Sequence, residues 1–294
     1  MFTWKEEQMN KPVRIWLENI EEVEEGCLEQ ARHLAQLPFI HKWACLMPDT
    51  HQGKGMPIGG VIAADGVIIP NAVGVDIGCG MNFVSTNIKA EDLKPVMTGN
   101  GTMFQAITGE IMRNIPVGYN SYKKRQESEV LDRCLAHAAD YEKNETLFPL
   151  IEDAFYQIGT LGGGNHFIEA DRSDTGDIYI VVHSGSRHLG VEVASYYQEA
   201  GYKVLNRTDD ASLQTLVAQM KAEGREKEIQ KELKKLKNLK QTSIPKALAY
   251  VSGELFEQYI HDMKIVQHFA MLNRQAMMDE IIKGMKLHVE EQFT

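Results

Sequence analysis

The chain has 294 residues, of which 43% are hydrophobic and 24% charged, and its formal net charge is −10. These values are ordinary for globular proteins, and the length suffices for one large domain or two modest ones. No apolar run approaches the roughly 20 residues of a membrane helix, and the N-terminus lacks the basic start and apolar centre of a signal peptide. We therefore expect a cytoplasmic protein that avoids membranes. The negative charge argues against nucleic-acid binding through the whole surface, although a local basic groove remains compatible with it.

The first third of the chain predicts short strands and one early helix. Residues 13–17 are typical of a strand, and residues 21–34 of an amphipathic helix. Between residues 44 and 86, short apolar runs alternate with Gly, Pro, Asp and Asn, which indicates strands joined by tight loops. Helices are predicted to start near residues 90–92 and to span roughly 127–144, and two more strands are predicted at 167–169 and 176–182.

The pattern after residue 191 is almost entirely helical. Residues 218–240 mix lysines with glutamates, which favours a solvated helix face with i,i+4 ion pairs; a nucleic-acid contact is the alternative. Residues 254–286 form a long helical pattern whose apolar stripe predicts core packing: Leu255, Tyr259, Met263, Val266, Phe269 and Leu272. Together the elements predict a single α/β domain with a mixed sheet and a helical C-terminal half.

The four cysteines are widely spaced and form no CxxC pair, so neither a disulfide framework nor a Cys-only zinc site is indicated. Cys27, Cys45 and Cys134 are most simply buried small hydrophobes. Cys79 differs because it lies between glycines in VGVDIGCGM (73–81), three residues after Asp76. Taken alone, this segment also fits a glycine-rich turn with a buried thiol and a capping carboxylate.

Two later glycine-rich segments each supply a histidine. His166 lies in GGGNHFIE (162–169), and His183 lies in VVHSGSR (181–187). Thiolate and imidazole are usual ligands for Zn, Mn, Fe or Co, and a carboxylate shifts the set toward harder metals. We therefore predict a metal centre formed by Asp76, Cys79, His166 and His183, in which one thiolate can bridge two ions.

The same segments carry groups suited to a nucleotide or phosphate. Backbone N–H groups of the GGGN run can cradle phosphate, and Asn165 and Glu169 can hydrogen-bond a base or ribose. Arg187 offers a guanidinium for bidentate phosphate contact. The order SGS does not match the G-x-S-x-G elbow of serine hydrolases.

A further polar segment, MPDTHQGKGM (47–56), contains Asp49, His51 and Lys54 near glycines. It fits either another ligand pair or a polar loop. It is not a P-loop, because it lacks the GxxxxGK[ST] order.

Four long motifs, MPDTHQGKGMPIGG, GVIIPNAVGVDIGCGMN, GTLGGGNHFIE and VVHSGSRHLG, resemble the signature segments of the RtcB family of RNA-splicing ligases, in the same order and spacing. The later segment FAMLNRQAMM resembles the family too. The resemblance covers nearly the whole chain and implies the family's own α/β fold, with a metal site in a central cleft.

That resemblance implies a ligase that joins an RNA 2′,3′-cyclic phosphate or 3′-phosphate to a 5′-hydroxyl. It uses GTP and two manganese ions, and GMP is carried on a histidine. Cys79 matches the bridging ligand, Asp76 and His166 match ligands of the second metal, and His183 matches a ligand of the first. Asn165 and Glu169 match guanylate-contacting positions, and Arg187 matches a phosphate-binding arginine. The segment 119–125, YNSYKKR, is a candidate RNA-backbone contact, with a solvated loop as the alternative.

The chain departs from the family pattern at two points. His188 stands where the family commonly has glycine, and it either adds a donor near the phosphate site or points to solvent. The family's guanylylated histidine and one further metal-ligating histidine have no match, since His261, His268 and His288 lie in helical pattern. We therefore expect a truncated portion or a shortened relative. The alternatives to a ligase are a metal- and nucleotide-binding accessory protein and a metallophosphoesterase.

Overall fold

The computed structural model describes residues 1–93, 97–99, 101–127, 131–132, 147–206, 210–238 and 242–293. The chain forms two compact units: Met1–Gly74 with Ala194–Tyr259, and Val75–Val193 with Ile260–Thr294. Several separate sheets and a helical C-terminal half confirm the predicted α/β class. No helix within the described ranges is long and apolar enough to cross a membrane.

The first unit is built on a four-stranded sheet of order β1-β2-β3-β4, in which only β2 and β3 are parallel. The strands are β1 (Phe2–Trp4), β2 (Val13–Ile15), β3 (Ile40–His51) and β4 (Ile58–Ala64). Helix α1 (Glu25–Gln36) contributes Leu34 to the same buried cluster as Val13, Ile15 and Leu46. The mixture of parallel and antiparallel pairs confirms the predicted mixed sheet.

The predicted helix over 21–34 begins later than expected. A 3₁₀ turn occupies Ile20–Glu22, and the backbone N–H of Asn19 donates to the Glu22 carboxylate at 2.7 Å. Val23 is then extended, with φ −97° and ψ 128°. Because this extended residue interrupts the helical pattern, α1 begins only at Glu25.

The remaining elements of this part of the chain are short strands and helices. β5 (Val67–Ile68) pairs antiparallel with β11 (Val251–Ser252). The helices are α2 (Pro70–Val73), α6 (Arg187–Leu205), α7 (Asp210–Ala222) and α8 (Ile229–Asn238). In the lysine-rich segment, Arg225 pairs with Glu223 and Glu228, at spacings of two and three residues and between the two helices, which are not the predicted i,i+4 pairs.

The second unit contains a three-stranded antiparallel sheet of order β6-β10-β9: β6 (Gly80–Lys89), β9 (Phe167–Arg172) and β10 (Asp177–Ser184). Around it are α3 (Ala90–Leu93), the strand pair β7 (Met97–Thr98) and β8 (Gly101–Thr102), α4 (Met103–Asn114), α5 (Leu147–Gln157) and α9 (Glu254–Phe293). The helix predicted at 127–144 lies mostly outside the described residues, as does Cys134.

One face of this sheet forms the core of the second unit. Alternate β10 residues Ile178, Ile180 and Val182 are buried in one cluster with Met277 and Ile281 of α9. The period-two alternation directs the intervening side chains, including His183, to the opposite face. The predicted core stripe of α9 is confirmed, since Tyr259, Val266 and Phe269 are fully buried and the other three members are half-buried.

Candidate metal centre

Asp76 and Cys79 lie in a tight turn that precedes β6. The Cys79 backbone N–H donates to the Asp76 carbonyl at 3.0 Å, and Gly78 between them adopts a positive φ of 76°. A Cβ at Gly78 would lie 2.8 Å from the Cα of Gln267 on α9. The glycine therefore permits both the backbone conformation and the close approach of the helix.

Both predicted histidines point toward this turn. The Nε2 atom of His166 lies 2.7 Å from Asp76 Oδ2 and 3.7 Å from Cys79 Sγ. The Nε2 atom of His183, at the end of β10, lies 3.2 Å from the same sulfur. Cys79 is thus in contact with both imidazoles, as a bridging ligand would be.

Backbone carbonyls orient the two imidazole rings. The Nδ1 of His166 donates to Leu161 O at 2.9 Å, and the Nδ1 of His183 donates to Asn165 O at 3.1 Å. In a neutral ring this leaves Nε2 as the acceptor, which is the arrangement usual for metal-ligating histidines. The sequence did not reveal these carbonyl partners.

The donor set fits a metal ion. Ligand atoms of Asp76, Cys79 and His166 all lie within 4.8 Å of one another. The 2.7 Å contact between Asp76 and His166 joins two acceptor atoms, so it requires a proton or a cation between them. A carboxylate, a thiolate and two imidazoles suit borderline divalent metals. His183 joins the group through Cys79 Sγ and through an edge-on ring contact with His166.

Neighbouring groups and burial shift the pKa values of Asp76 and Cys79. Burial opposes ionisation of Asp76, but the hydrogen bond from the Ser186 N–H and the contacts with His166 and Cys79 outweigh it and lower the pKa of the carboxyl. Burial, followed by the contact with Asp76, raises the pKa of the Cys79 thiol to about 11. A metal ion that binds this sulfur therefore displaces a proton.

A cavity of about 810 Å³ opens beside the metal-ligand cluster. Asp76 and His166 line one side of it, and Asn165, Arg187 and His188 also face it. The structure thus brings the predicted nucleotide and phosphate groups Asn165 and Arg187 next to the predicted metal ligands.

Glu169 is placed apart from Asn165. It lines a different cavity, of about 270 Å³, whose other walls are mainly apolar residues of α4, β9 and β10. Its carboxylate is exposed. Proximity in sequence within GGGNHFIE therefore does not put these two side chains in one cavity.

Arg187 has an unusual backbone at the start of α6. Its φ is 56°, and among the described residues it is the non-glycine with positive φ. Its Nε donates to Thr160 Oγ1 at 3.0 Å and its Nη2 donates to Gly118 O at 2.6 Å. Arg187 lines the cavity, and backbone strain at such a position is often associated with function.

His188 and the segment 119–125 show which predicted contacts face the cavity. His188 is exposed, lines the cavity and lies 3.7 Å from Glu192. Tyr119, fully exposed, also lines it. Tyr122 is instead anchored, with its hydroxyl near Asn114 O and Gly159 O, and Arg125 stacks on Phe155. Only the first part of this segment faces the cavity.

The segment containing Asp49, His51 and Lys54 belongs to the first unit. The His51 Nδ1 contacts the Asp49 carbonyl at 2.9 Å, and Gln30 of α1 exchanges two hydrogen bonds with the backbone of Gly53. These hydrogen bonds hold the loop against α1, and the side chains of Asp49, His51 and Lys54 are largely exposed.

Comparison with known proteins identifies the family. The family model for tRNA-splicing ligase RtcB matches residues 30–294. The RNA-splicing ligase RtcB of Escherichia coli K12 is 32% identical over 285 residues, covering 94% of this chain and 61% of that protein. The tRNA-splicing ligase RtcB of Thermococcus kodakarensis is 32% identical over 237 residues, covering 65% and 48%. The chain thus spans about three-fifths of the length of the Escherichia coli relative, and it belongs to the RtcB family.

Proposed function

We propose that this chain is the metal-binding part of an enzyme that joins RNA ends. The observation that carries the proposal is the convergence of Asp76, Cys79 and His166, with His183 on the same sulfur. The curated relatives are named RNA-splicing or tRNA-splicing ligases, which points to RNA as the substrate class.

The reaction we propose joins a 2′,3′-cyclic phosphate or 3′-phosphate to a 5′-hydroxyl, with GTP as the energy source and manganese as the metal. When bound, manganese neutralises phosphate oxygens and orients the reacting groups. Asp76 and His166 would hold one ion, His183 another, and Cys79 both. The mixed O, N and S donor set supports a borderline divalent metal.

The chain's own residues would bind and orient the phosphate ends. Arg187 projects into the 810 Å³ cavity beside the ligand cluster, where its remaining N–H donors suit a phosphate. Asn165 lines the same cavity and would contact the guanylate. Glu169 lines a different cavity from Asn165. Its proposed contact with the guanylate is therefore tested by a separate substitution of Glu169.

RNA would reach the metal centre along the wall that contains Tyr119. This side chain is fully exposed at the cavity, and an exposed aromatic ring supports base stacking. Nearby Lys123 and Lys124 are also exposed and would neutralise phosphates locally, despite the net charge of −10. A reducing compartment, which we take to be the cytoplasm, would keep Cys79 available as a ligand.

The test is RNA joining by the protein expressed from its complete reading frame. The substrates are one RNA with a 3′-phosphate and another with a 5′-hydroxyl, each with and without GTP and Mn²⁺. We expect joining that requires both and is lost in Cys79→Ala. Cys45→Ala, a half-buried thiol of the first unit, is the matched control and should retain activity.

Other outcomes would contradict the proposal. Phosphate release from the RNA 3′-end without GTP would indicate a metallophosphoesterase. Metal and nucleotide binding without any change in the RNA would indicate an accessory protein.

A further inference from the structure

Asn273, a polar residue of α9, is completely buried. Its Oδ1 accepts hydrogen bonds from the backbone N–H groups of Gly159, at 2.8 Å, and Thr160, at 3.1 Å. Its Nδ2 has three acceptors within hydrogen-bond distance: Thr160 O at 3.1 Å, Ser184 Oγ at 3.2 Å and Gly185 O at 3.1 Å. One amide therefore joins the segment before His166 to the segment after His183.

Arg274, the next residue of α9, makes a second connection. Its Nη1 donates to Gly78 O at 2.7 Å and to Ser184 O at 2.8 Å. Gly78 directly precedes Cys79, and Ser184 directly follows His183. The guanidinium thus joins the turn that carries two ligands to the end of the strand that carries another.

A chain of hydrogen bonds extends these connections to the imidazole of His166. The hydroxyl of Ser184, which accepts from Asn273, donates to Leu161 O at 2.8 Å. The same carbonyl accepts from His166 Nδ1 at 2.9 Å. The amide of Asn273 is therefore connected through one hydroxyl and one carbonyl to the ring of a proposed metal ligand.

The burial of Asn273 is unfavourable if its side chain serves only to pack the core. Neighbouring α9 residues Phe269, Ala270 and Met277 are fully buried and apolar, and a polar group in such surroundings is costly unless it is hydrogen-bonded. A satisfied buried network instead specifies one arrangement of the groups that it joins. Here those groups are three loops distant from α9 in sequence.

We propose that Asn273 and Arg274 are positioning residues, which hold the three ligand-bearing loops so that Asp76, Cys79, His166 and His183 converge. We call this pair the α9 clamp. The inference rests on the proposed metal centre, since the clamp has a functional meaning only if these side chains bind an ion together. Neither clamp residue is itself proposed as a ligand.

The test uses Co²⁺ as the metal probe, because a cobalt–thiolate bond gives a charge-transfer absorption that reports on the sulfur directly. In Arg274→Gln we expect Co²⁺ affinity to fall about 10- to 100-fold, the usual effect of losing a residue that orients a ligand. The charge-transfer absorption should weaken more than the d–d bands. The matched control is Gln275→Ala, an exposed neighbour on α9, which should bind like the wild type.

A conservative variant separates positioning from general destabilisation. Arg274→Lys keeps the charge and one donor, so it should restore part of the affinity lost in Arg274→Gln. Unfolding of each metal-free variant, measured in parallel, reports on the fold.

The results distinguish two failures. A wild-type chain that binds no Co²⁺ would overturn the metal centre and the clamp with it. Tight binding by the wild type, with equal affinity and absorption in a folded Arg274→Gln, would overturn the clamp alone. If Arg274→Gln does not fold, the same comparisons are decided with Arg274→Lys.

Discussion

The two oxygens of the Asp76 carboxylate have different partners. Oδ1 accepts from the backbone N–H and the hydroxyl of Ser186, at 2.9 and 3.3 Å, whereas Oδ2 faces His166. The first oxygen fixes the side chain, and the second remains directed at the ligand cluster. This division depends on Gly185, because a Cβ there would lie 2.1 Å from Oδ1.

Gly185→Ala is therefore expected to displace the Asp76 carboxylate or the end of β10. We expect overpacking to lower stability by about 1–3 kcal/mol and Co²⁺ affinity to fall at least tenfold, as measured by denaturant unfolding and metal titration. Gly163→Ala is the matched control, since its Cβ would meet only Gly118 Cα, at 3.8 Å. Equal metal affinity in the two variants would contradict this role of Gly185.

Arg187 illustrates strain at a single residue. With φ at 56°, it occupies a region that glycine adopts without penalty. Arg187→Gly should relieve the backbone strain but remove the hydrogen bonds to Thr160 and Gly118. We expect the proposed RNA joining activity to fall by more than tenfold while the protein remains folded. Retention of full joining activity would exclude Arg187 from phosphate binding.

The sequence predicted the metal-ligand loops because their signals are local. Donor residues stand among glycines beside apolar runs, and each loop can be recognised within about ten residues. The α9 clamp lies in the segment FAMLNRQAMM, but nothing local there shows its role, since Asn273 contacts Thr160, 113 residues away, and Arg274 contacts Gly78, 196 residues away. Only the folded chain shows which carbonyls these two side chains reach.

Helix α9 has both completely buried and exposed methionines. Met277 is fully buried in the core cluster of the second unit, while Met271 on the same helix is 51% exposed. We expect Met277→Ala to lower the free energy of unfolding by about 2–5 kcal/mol, and Met271→Ala to change it by no more than about 0.5 kcal/mol. Both variants make the same change in helix propensity, so urea unfolding isolates burial. Equal effects would contradict the observed orientation of α9.

Element boundaries were less predictable than element types. Residues 21–34 have a helical pattern, yet a 3₁₀ turn at Ile20–Glu22, closed by a hydrogen bond from the Asn19 N–H to Glu22, and the extended Val23 delay α1 to Glu25. Periodicity reports which face is apolar, whereas the start of a helix depends on which side chains satisfy its first donors. The separate positions of Asn165 and Glu169 were likewise invisible, since they depend on how the loop enters β9.

At the scale of the molecule, the proposed ligands come from three separated stretches of chain, so the proposed metal centre can form only in the folded protein. A metal that binds the native chain alone should therefore stabilise it. We expect 1 mM Mn²⁺ to raise the unfolding temperature of the wild type, and a chelator to reverse the shift (this concentration is about 1,000 times a micromolar dissociation constant, which corresponds to roughly 4.1 kcal/mol). An identical shift in Asp76→Asn would contradict the link.

The measurement that tests the metal centre most directly is Mn²⁺ binding to the wild type, Cys79→Ala and Cys45→Ala, titrated under reducing conditions. Cys79 contacts both imidazoles, so we predict that tight binding is abolished in Cys79→Ala with little loss of fold, and is unchanged in Cys45→Ala. Unchanged Mn²⁺ affinity in Cys79→Ala would contradict the assignment of Asp76, Cys79, His166 and His183 as a metal centre.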